Sequence, residues 1–343
     1  MAVSALPFRE NVSLKPYNTF GIEATARYFL ELEEEAQLFA LLKNPLFKQE
    51  RVLWLGGGSN LLLTGHFPGL VVRVALRGRS LTPLSEEEVL LEASAGENWH
   101  ELTCFARQKK LGGIENLSLI PGQVGTAPVQ NIGAYGVELK DVFHSLQAFD
   151  LVQGHFVTFR KAACQFAYRN SIFKQAGKGR YLITRLVLRL RKPPHQLHLN
   201  YGSLQAEVTR RKETPTIDTV AEAVIAIRRA KLPDPAQVGN SGSFFKNPVV
   251  TASVHQDLHA RFPEIKAFAL PDGRYKLAAG WLIESAGWKG YRRGDAGVHP
   301  RQALVLVNYG AAKGTDIAAL AEEIASSVFR TFGVRLEAEV NII

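Results

Sequence analysis

No stretch constrains this chain more than Gly112 to Gly136, twenty-five residues with six glycines, two prolines and a single charged side chain, Glu115. Glycines and small polar residues at that density suit a backbone threaded against a large planar or diphosphate ligand. A compact Ω-loop is the plainer alternative, but a run of this length favours the ligand. A second glycine cluster follows an apolar run, Leu53-Trp54-Leu55-Gly56-Gly57-Gly58-Ser59-Asn60. Missing side chains there let backbone N–H groups approach a phosphate, although a tight turn explains the same glycines. A Rossmann reading fails: its third glycine falls on Leu61, strand rather than helix follows, and no acid lies near Leu76 to hold a ribose. Nor does the Gly-Lys-Ser/Thr of a P-loop appear.

Around these loops the first half reads as short strands, at Val52–Leu55, Leu70–Leu76, Val89–Ala95, Leu146–Val152 and His155–Phe159, with one helix from Trp99 to Lys110. Leu186, Leu188 and Leu190 alternate with wetter neighbours, which marks a strand with one buried face. Turn residues at Pro193-Pro194 and Lys212-Glu213-Thr214-Pro215 precede a change to helical spacing. Val220, Val224 and Ile227 then share a helical face, as do Ile317, Leu320, Ala321, Ile324 and Val328. At the end Leu336, Ala338, Val340 and Ile342 alternate with Glu337, Glu339 and Asn341, predicting a terminal strand with both glutamates on its polar face. The pattern indicates an α+β protein of 343 residues in segments 1–72, 73–215 and 216–343.

Charge narrows the partners. Forty-one lysines and arginines against 32 acids give +9, which favours anionic ligands such as phosphorylated small molecules. The basic residues come in scattered pairs rather than a tract, which argues against nucleic acid. Two cysteines, Cys104 and Cys164, provide neither a disulfide framework nor a metal-binding spacing. The first residues lack the apolar run of a signal peptide and no apolar stretch is long enough to span a membrane, so a soluble, unexported cytoplasmic protein is expected.

The glycine loop, Ile120–Gly136, Tyr168-Arg169-Asn170-Ser171-Ile172-Phe173-Lys174, Lys231-Leu232-Pro233-Asp234-Pro235 and Gly242-Ser243-Phe244-Phe245-Lys246-Asn247-Pro248 together resemble the UDP-N-acetylenolpyruvoylglucosamine reductases. Lys276–Glu284 and Gln302–Leu306 extend the match, which runs from Asn18 to Glu339. The resemblance implies a two-subdomain FAD-binding fold of the vanillyl-alcohol-oxidase type plus a C-terminal α+β substrate-binding domain whose last strand returns to the active site. It implies FAD as cofactor, NADPH as co-substrate, and reduction of UDP-N-acetylglucosamine enolpyruvate for peptidoglycan synthesis. Tyr201-Gly202-Ser203-Leu204 resembles the loop that closes on substrate in the longer subgroup.

Residue by residue, the resemblance assigns the cofactor to Leu55, Gly56, Gly57, Gly58, Ser59, Asn60 and Leu61, to Ile120, Pro121, Gly122, Gly125, Thr126, Gln130, Asn131, Gly133, Ala134, Tyr135 and Gly136, and to Arg228. It assigns substrate binding to Tyr168, Tyr201, Lys231, Asn247 and Gln302. Arg169 matches the arginine that steadies the carboxylate, since a guanidinium can grip it with two hydrogen bonds. Ser243 matches the proton donor to carbon, and a strongly basic enolate can take a hydroxyl proton. Glu339 matches the carboxylic acid that donates to that enolate. Without the resemblance each would read as a surface arginine, a turn serine and an exposed strand glutamate. Two positions depart from many relatives, which carry a proline and an arginine where this chain has Ala338 and Asn341. A cationic contact is thereby lost or supplied by Arg228. Gly57 also stands where an acid is frequent.

Overall fold

The computed structural model describes residues 6–211 and 214–343, so Lys212 and Glu213 of the expected turn lie outside the described residues. The chain forms two compact units. Among the described residues the larger comprises 6–12, 26–57 and 68–230, and the smaller 13–25, 58–67 and 231–343.

In the larger unit one sheet has four strands in the order Arg9–Ser13, Thr25–Leu32, Phe67–Val74, Val52–Leu55. The last two run parallel, pairing Val52 with Leu70 and Leu55 with Arg73. Helix Ala36–Lys43 covers it with Leu38 and Leu41, packed on Leu30, Leu32, Leu70 and Val72. The second sheet has five antiparallel strands, in the order His155–Arg160, Phe143–Asp150, Tyr181–Arg191, Glu88–Ser94, Arg79–Pro83. Leu186, Leu188 and Leu190 are buried and Arg189 is exposed, as alternation predicts. Helix Trp99–Gln108 starts where Asn98 Oδ1 accepts the N–H of Glu101 at 3.0 Å, an N-cap that satisfies a helix-end donor.

Helix Ile217–Lys231 buries the predicted Val220, Val224 and Ile227 against Leu204 and Val208. That packing keeps it in the larger unit, so the compact units part at residues 230 and 231 rather than at 215. Sequence segments could not reveal this, because the apolar partner face lies on the preceding short helix Leu204–Arg210.

The smaller unit has a sheet in the order Gly239–Ser243, Val305–Asn308, Ala296–Val298, Arg292–Arg293, and a three-stranded sheet in the order Val249–Val250, Tyr275–Leu277, Ala267–Ala269. Helix Gly314–Phe332 buries Ile317, Leu320, Ala321, Ile324 and Val328, and ends at Gly333, whose φ of +71° and N–H to Phe329 O close the last turn. Residues 13–25 and 58–67 join this unit through bonds such as Asn240 N–H to Thr19 O at 3.0 Å.

The predicted terminal strand is corrected. Ala338 forms only an isolated bridge with Phe245, the chain bends at Glu339 and Val340, and a two-residue strand, Asn341–Ile342, pairs in parallel with Leu61–Leu62. Ala338 and Ile342, placed on the apolar face by alternation, are exposed. The chain changes partner within four residues, and a change of partner turns the pleat.

Candidate active site

In the larger unit the segment 112–136 is not a free loop. Three short 3-10 turns, Glu115–Leu117, Val124–Thr126 and Pro128–Gln130, seat Leu117, Val124, Ala127 and Ile132 in the core beneath the second sheet. Trp99, fully buried, donates its indole N–H to Leu117 O at 3.0 Å. Gly125 N–H reaches Ala95 O at 2.9 Å. Gly56 and Gly57 abut this segment. A Cβ on Gly56 would stand 2.7 Å from Thr126 Cγ2, and one on Gly57 would stand 3.2 Å from Gly122 Cα. Glycine here lets the two segments pack against each other, a role beyond the turn or phosphate contact expected. In the smaller unit a Cβ on Gly58, where φ is +62°, would fall 1.9 Å from Tyr17 O.

Four buried side-chain atoms in the same segment have no hydrogen-bond partner among the described residues: Glu115 Oε1, Asn116 Oδ1, Ser118 Oγ and Gln123 Oε1. Buried polar atoms in native proteins are ordinarily satisfied by protein, water or ligand. All four can accept, which fits the hydroxyl-bearing chain of FAD. The residues present therefore fit that cofactor.

Arg169 is half-buried with φ of +52°, in the left-handed region that non-glycine residues rarely adopt. Reciprocal backbone bonds between Ala167 and Asn170 form its turn. Asn131 Nδ2 donates to Ala167 O at 3.1 Å, and Ser171 Oγ donates to Val129 O at 2.7 Å, so the turn is tied to the segment 112–136. Tyr168 lies beside it, exposed, with the Arg169 guanidinium 5.9 Å from its ring centre.

Arg228 reaches the same region from helix Ile217–Lys231, donating from Nε to Leu119 O at 3.2 Å. Burial lowers its pKa, the neighbouring charge of Arg169 lowers it further, and Tyr135 acts the other way. Burial also raises the Tyr135 phenol. Two guanidinia that repel each other stabilise a bound anion. Tyr201 meets Tyr135 edge to face at 6.2 Å.

In the smaller unit Ser243 ends the strand Gly239–Ser243, after Gly242 with φ of +71°. The next residue donates from Phe244 N–H to Leu304 O at 2.7 Å and accepts at Phe244 O from Glu339 N–H at 2.8 Å. Ser243 and Glu339 thus belong to adjacent backbone rungs, and Glu339 is half-buried. Asn60 at the end of the glycine loop donates from Nδ2 to Glu339 O at 3.2 Å. The departure at Asn341 has a structural use: its backbone and side-chain N–H groups both donate to Asn60 O, at 3.1 and 2.9 Å. Asn247 Oδ1 accepts from Ala279 N–H at 3.0 Å, and Gln302 Oε1 lies 3.3 Å from where a Cβ on Gly280 would be. Both meet the start of helix Ala279–Ser285. Lys231 is exposed.

Sequence reasoning passed over His100 and Asn116. His100 Nδ1 accepts from Leu119 N–H, while Asn116, wholly buried, donates to Tyr135 O and His198 O. The available signal was weak: a second polar residue, beside Glu115, in a turn flanked by Ile114 and Leu117.

Among the described residues no helix is long and apolar enough to cross a membrane. Residues 26–160 match a family described as FAD binding domain, and residues 234–343 match the UDP-N-acetylenolpyruvoylglucosamine reductase C-terminal domain. The UDP-N-acetylenolpyruvoylglucosamine reductase of Chromobacterium violaceum is 51% identical, over 97% of this chain and 98% of that protein. Its counterpart from Flavobacterium johnsoniae is 47% identical, over 98% and 100%. The crystal structure of UDP-N-acetylenolpyruvylglucosamine reductase from Thermus caldophilus, 24% identical, shares the fold with a TM-score of 0.68, covering 98% of this chain and 99% of that one.

Proposed function

This chain belongs to the UDP-N-acetylenolpyruvoylglucosamine reductases and has their two-subdomain FAD-binding fold of the vanillyl-alcohol-oxidase type with a C-terminal α+β domain, and from that premise we propose its reaction and the residues that carry it. It is an FAD-dependent oxidoreductase that reduces UDP-N-acetylglucosamine enolpyruvate to UDP-N-acetylmuramate, with NADPH as donor, as a cytoplasmic monomer supplying peptidoglycan precursors.

FAD, held by the glycine loop, segment 120–136 and Arg228, supplies the hydride carrier between NADPH and the terminal carbon of the enolpyruvyl double bond. The chain's own residues manage charge and the proton. Arg169 grips the substrate carboxylate, onto which negative charge spreads as hydride arrives. Glu339 donates a hydrogen bond to the enolate oxygen. Ser243 gives its proton to the carbon next to the carboxylate and recovers one from solvent, so substrate, NADPH and one proton become product and NADP+. Tyr168, Tyr201, Lys231, Asn247 and Gln302 hold the UDP-sugar, the lysine as a mobile point charge on the diphosphate.

The observation that carries this reading is the hydrogen bond from Glu339 N–H to Phe244 O, which brings the stretch bearing the acid beside the residue following Ser243. Anaerobic titration tests it. NADPH should bleach the flavin, and added enolpyruvyl substrate should restore its colour with UDP-N-acetylmuramate as product. Protein that reoxidises only with oxygen would instead be an oxidase on the same fold.

A further inference from the structure

The side-chain amide of Asn116 joins two segments that lie far apart in the chain. Its Nδ2 donates to Tyr135 O at 2.9 Å and to His198 O at 2.8 Å, and the residue is wholly buried. The orientation of the amide is forced, because a flipped group would set its oxygen against two carbonyls. Tyr135 closes the cofactor segment, with φ of +49°. His198 precedes the tyrosine loop, whose far end is pinned by Leu204, with no solvent exposure in its cluster. Between these anchors Tyr201 is half exposed, and Gly202 has φ of +51° with nothing within 4 Å of where a Cβ would stand.

We propose that Asn116 is a positioning residue for Tyr201, clasping the His198 peptide to the Tyr135 peptide so that the substrate loop is fixed through Leu199, which packs on the Leu204 cluster, and only residues 200–203 swing. The clasp rests on the reading of Tyr201 as a substrate-binding residue. It places the pivot after the Pro193-Pro194 turn rather than at it, and it sets the root of the loop at a fixed spacing from the cofactor segment. A shorter swinging tip loses less freedom when it closes, which favours substrate binding.

Asn116→Asp tests this, since it keeps the shape but faces both carbonyls with acceptors. In the FAD-loaded protein, amide hydrogen exchange at Tyr201 and Leu204, whose N–H groups bond to Leu199 O and Tyr201 O at 2.8 and 3.0 Å, should quicken on the order of ten-fold once the root of the loop is released. The KM for the enolpyruvyl substrate should rise by a similar factor, a larger change than any fall in the rate at which NADPH reduces the flavin. Exchange at Tyr201 and Leu204 as slow as in wild type, in a folded flavoprotein, overturns the clasp. So does an equal loss in both half-reactions, which marks a merely structural residue. If the aspartate variant does not fold, Asn116→Ala removes the donors without adding charge and is read in the same assays. Tyr201→Ala with an unchanged KM would sink the substrate reading of Tyr201 alone, leaving the exchange result to decide the clasp.

Discussion

The Nδ1 atom of His100 accepts the backbone N–H of Leu119 at 3.0 Å, so this imidazole is held neutral in the folded chain. Leu119 has φ of +59°, and its carbonyl takes the Nε hydrogen of Arg228. The two peptide groups that flank Leu119 are therefore both held, at the start of the stretch from Ile120 to Gly136. Burial lowers the His100 pKa, followed by the charges of Arg107, Arg229 and Arg228, while Glu101 opposes them. Above the ordinary histidine value of about 6.5 both folded and unfolded chains carry a neutral ring. As pH falls below it the unfolded chain takes the proton first, so stability declines until the lowered folded pKa is passed. Urea unfolding between pH 7.5 and 5 should show a smaller acid loss for His100→Gln, which keeps an acceptor and cannot titrate. Identical losses in the two proteins would refute the assignment.

Ser243→Ala should leave reduction of the flavin by NADPH nearly intact and slow its reoxidation by the enolpyruvyl substrate by about 100-fold or more, the usual scale for a lost general acid. Arg169→Ala should impair the same half-reaction. Stopped-flow absorbance separates the two steps. Normal reoxidation in the serine variant would remove Ser243 from its role, and a defect confined to NADPH oxidation would contradict that of Arg169.

Two glycines with left-handed backbones should respond differently to alanine. At Gly333 nothing lies within 4 Å of an added Cβ, so only the backbone preference is lost, about 1 kcal/mol. At Gly58 the added atom meets Tyr17 O, and strain plus displacement should cost about 2–5 kcal/mol. Comparable urea midpoints for the two variants would show that the contact relaxes freely.

Trp99→Phe should lower stability by about 1–3 kcal/mol, because it leaves Leu117 O buried without its donor. Thermal unfolding of the flavin-free variant measures this, and an unchanged midpoint would mean that Leu117 O finds another partner.

Periodic side-chain patterns were legible in the sequence. Strand Val52–Leu55 has its expected bounds, and the faces built from Val220, Val224 and Ile227 and from Ile317 to Val328 are buried. Hydrophobic spacing records which side of an element faces a core. It does not record which backbone will be the neighbour. For that reason alternation from Leu336 to Ile342 read as one strand, although the chain exchanges Phe245 for Leu61 and Leu62 within it. The same blindness hid the grouping of residues 13–25 and 58–67 with the C-terminal part.

The candidate site divides along the same line. Glycine-rich segments were legible in the sequence, whereas Arg169, Ser243 and Glu339 became candidates only through the motifs around them, since each alone reads as a surface arginine, a turn serine or an exposed strand glutamate. Tertiary structure alone decided that Arg169 adopts a left-handed turn tied to Asn131, that Gly56 and Gly57 serve contact with a second segment, and that Asn116 and Asn341 fasten loops. Each depends on a hydrogen bond or a close approach between residues remote in the chain, which local preference cannot encode and only the packed fold supplies.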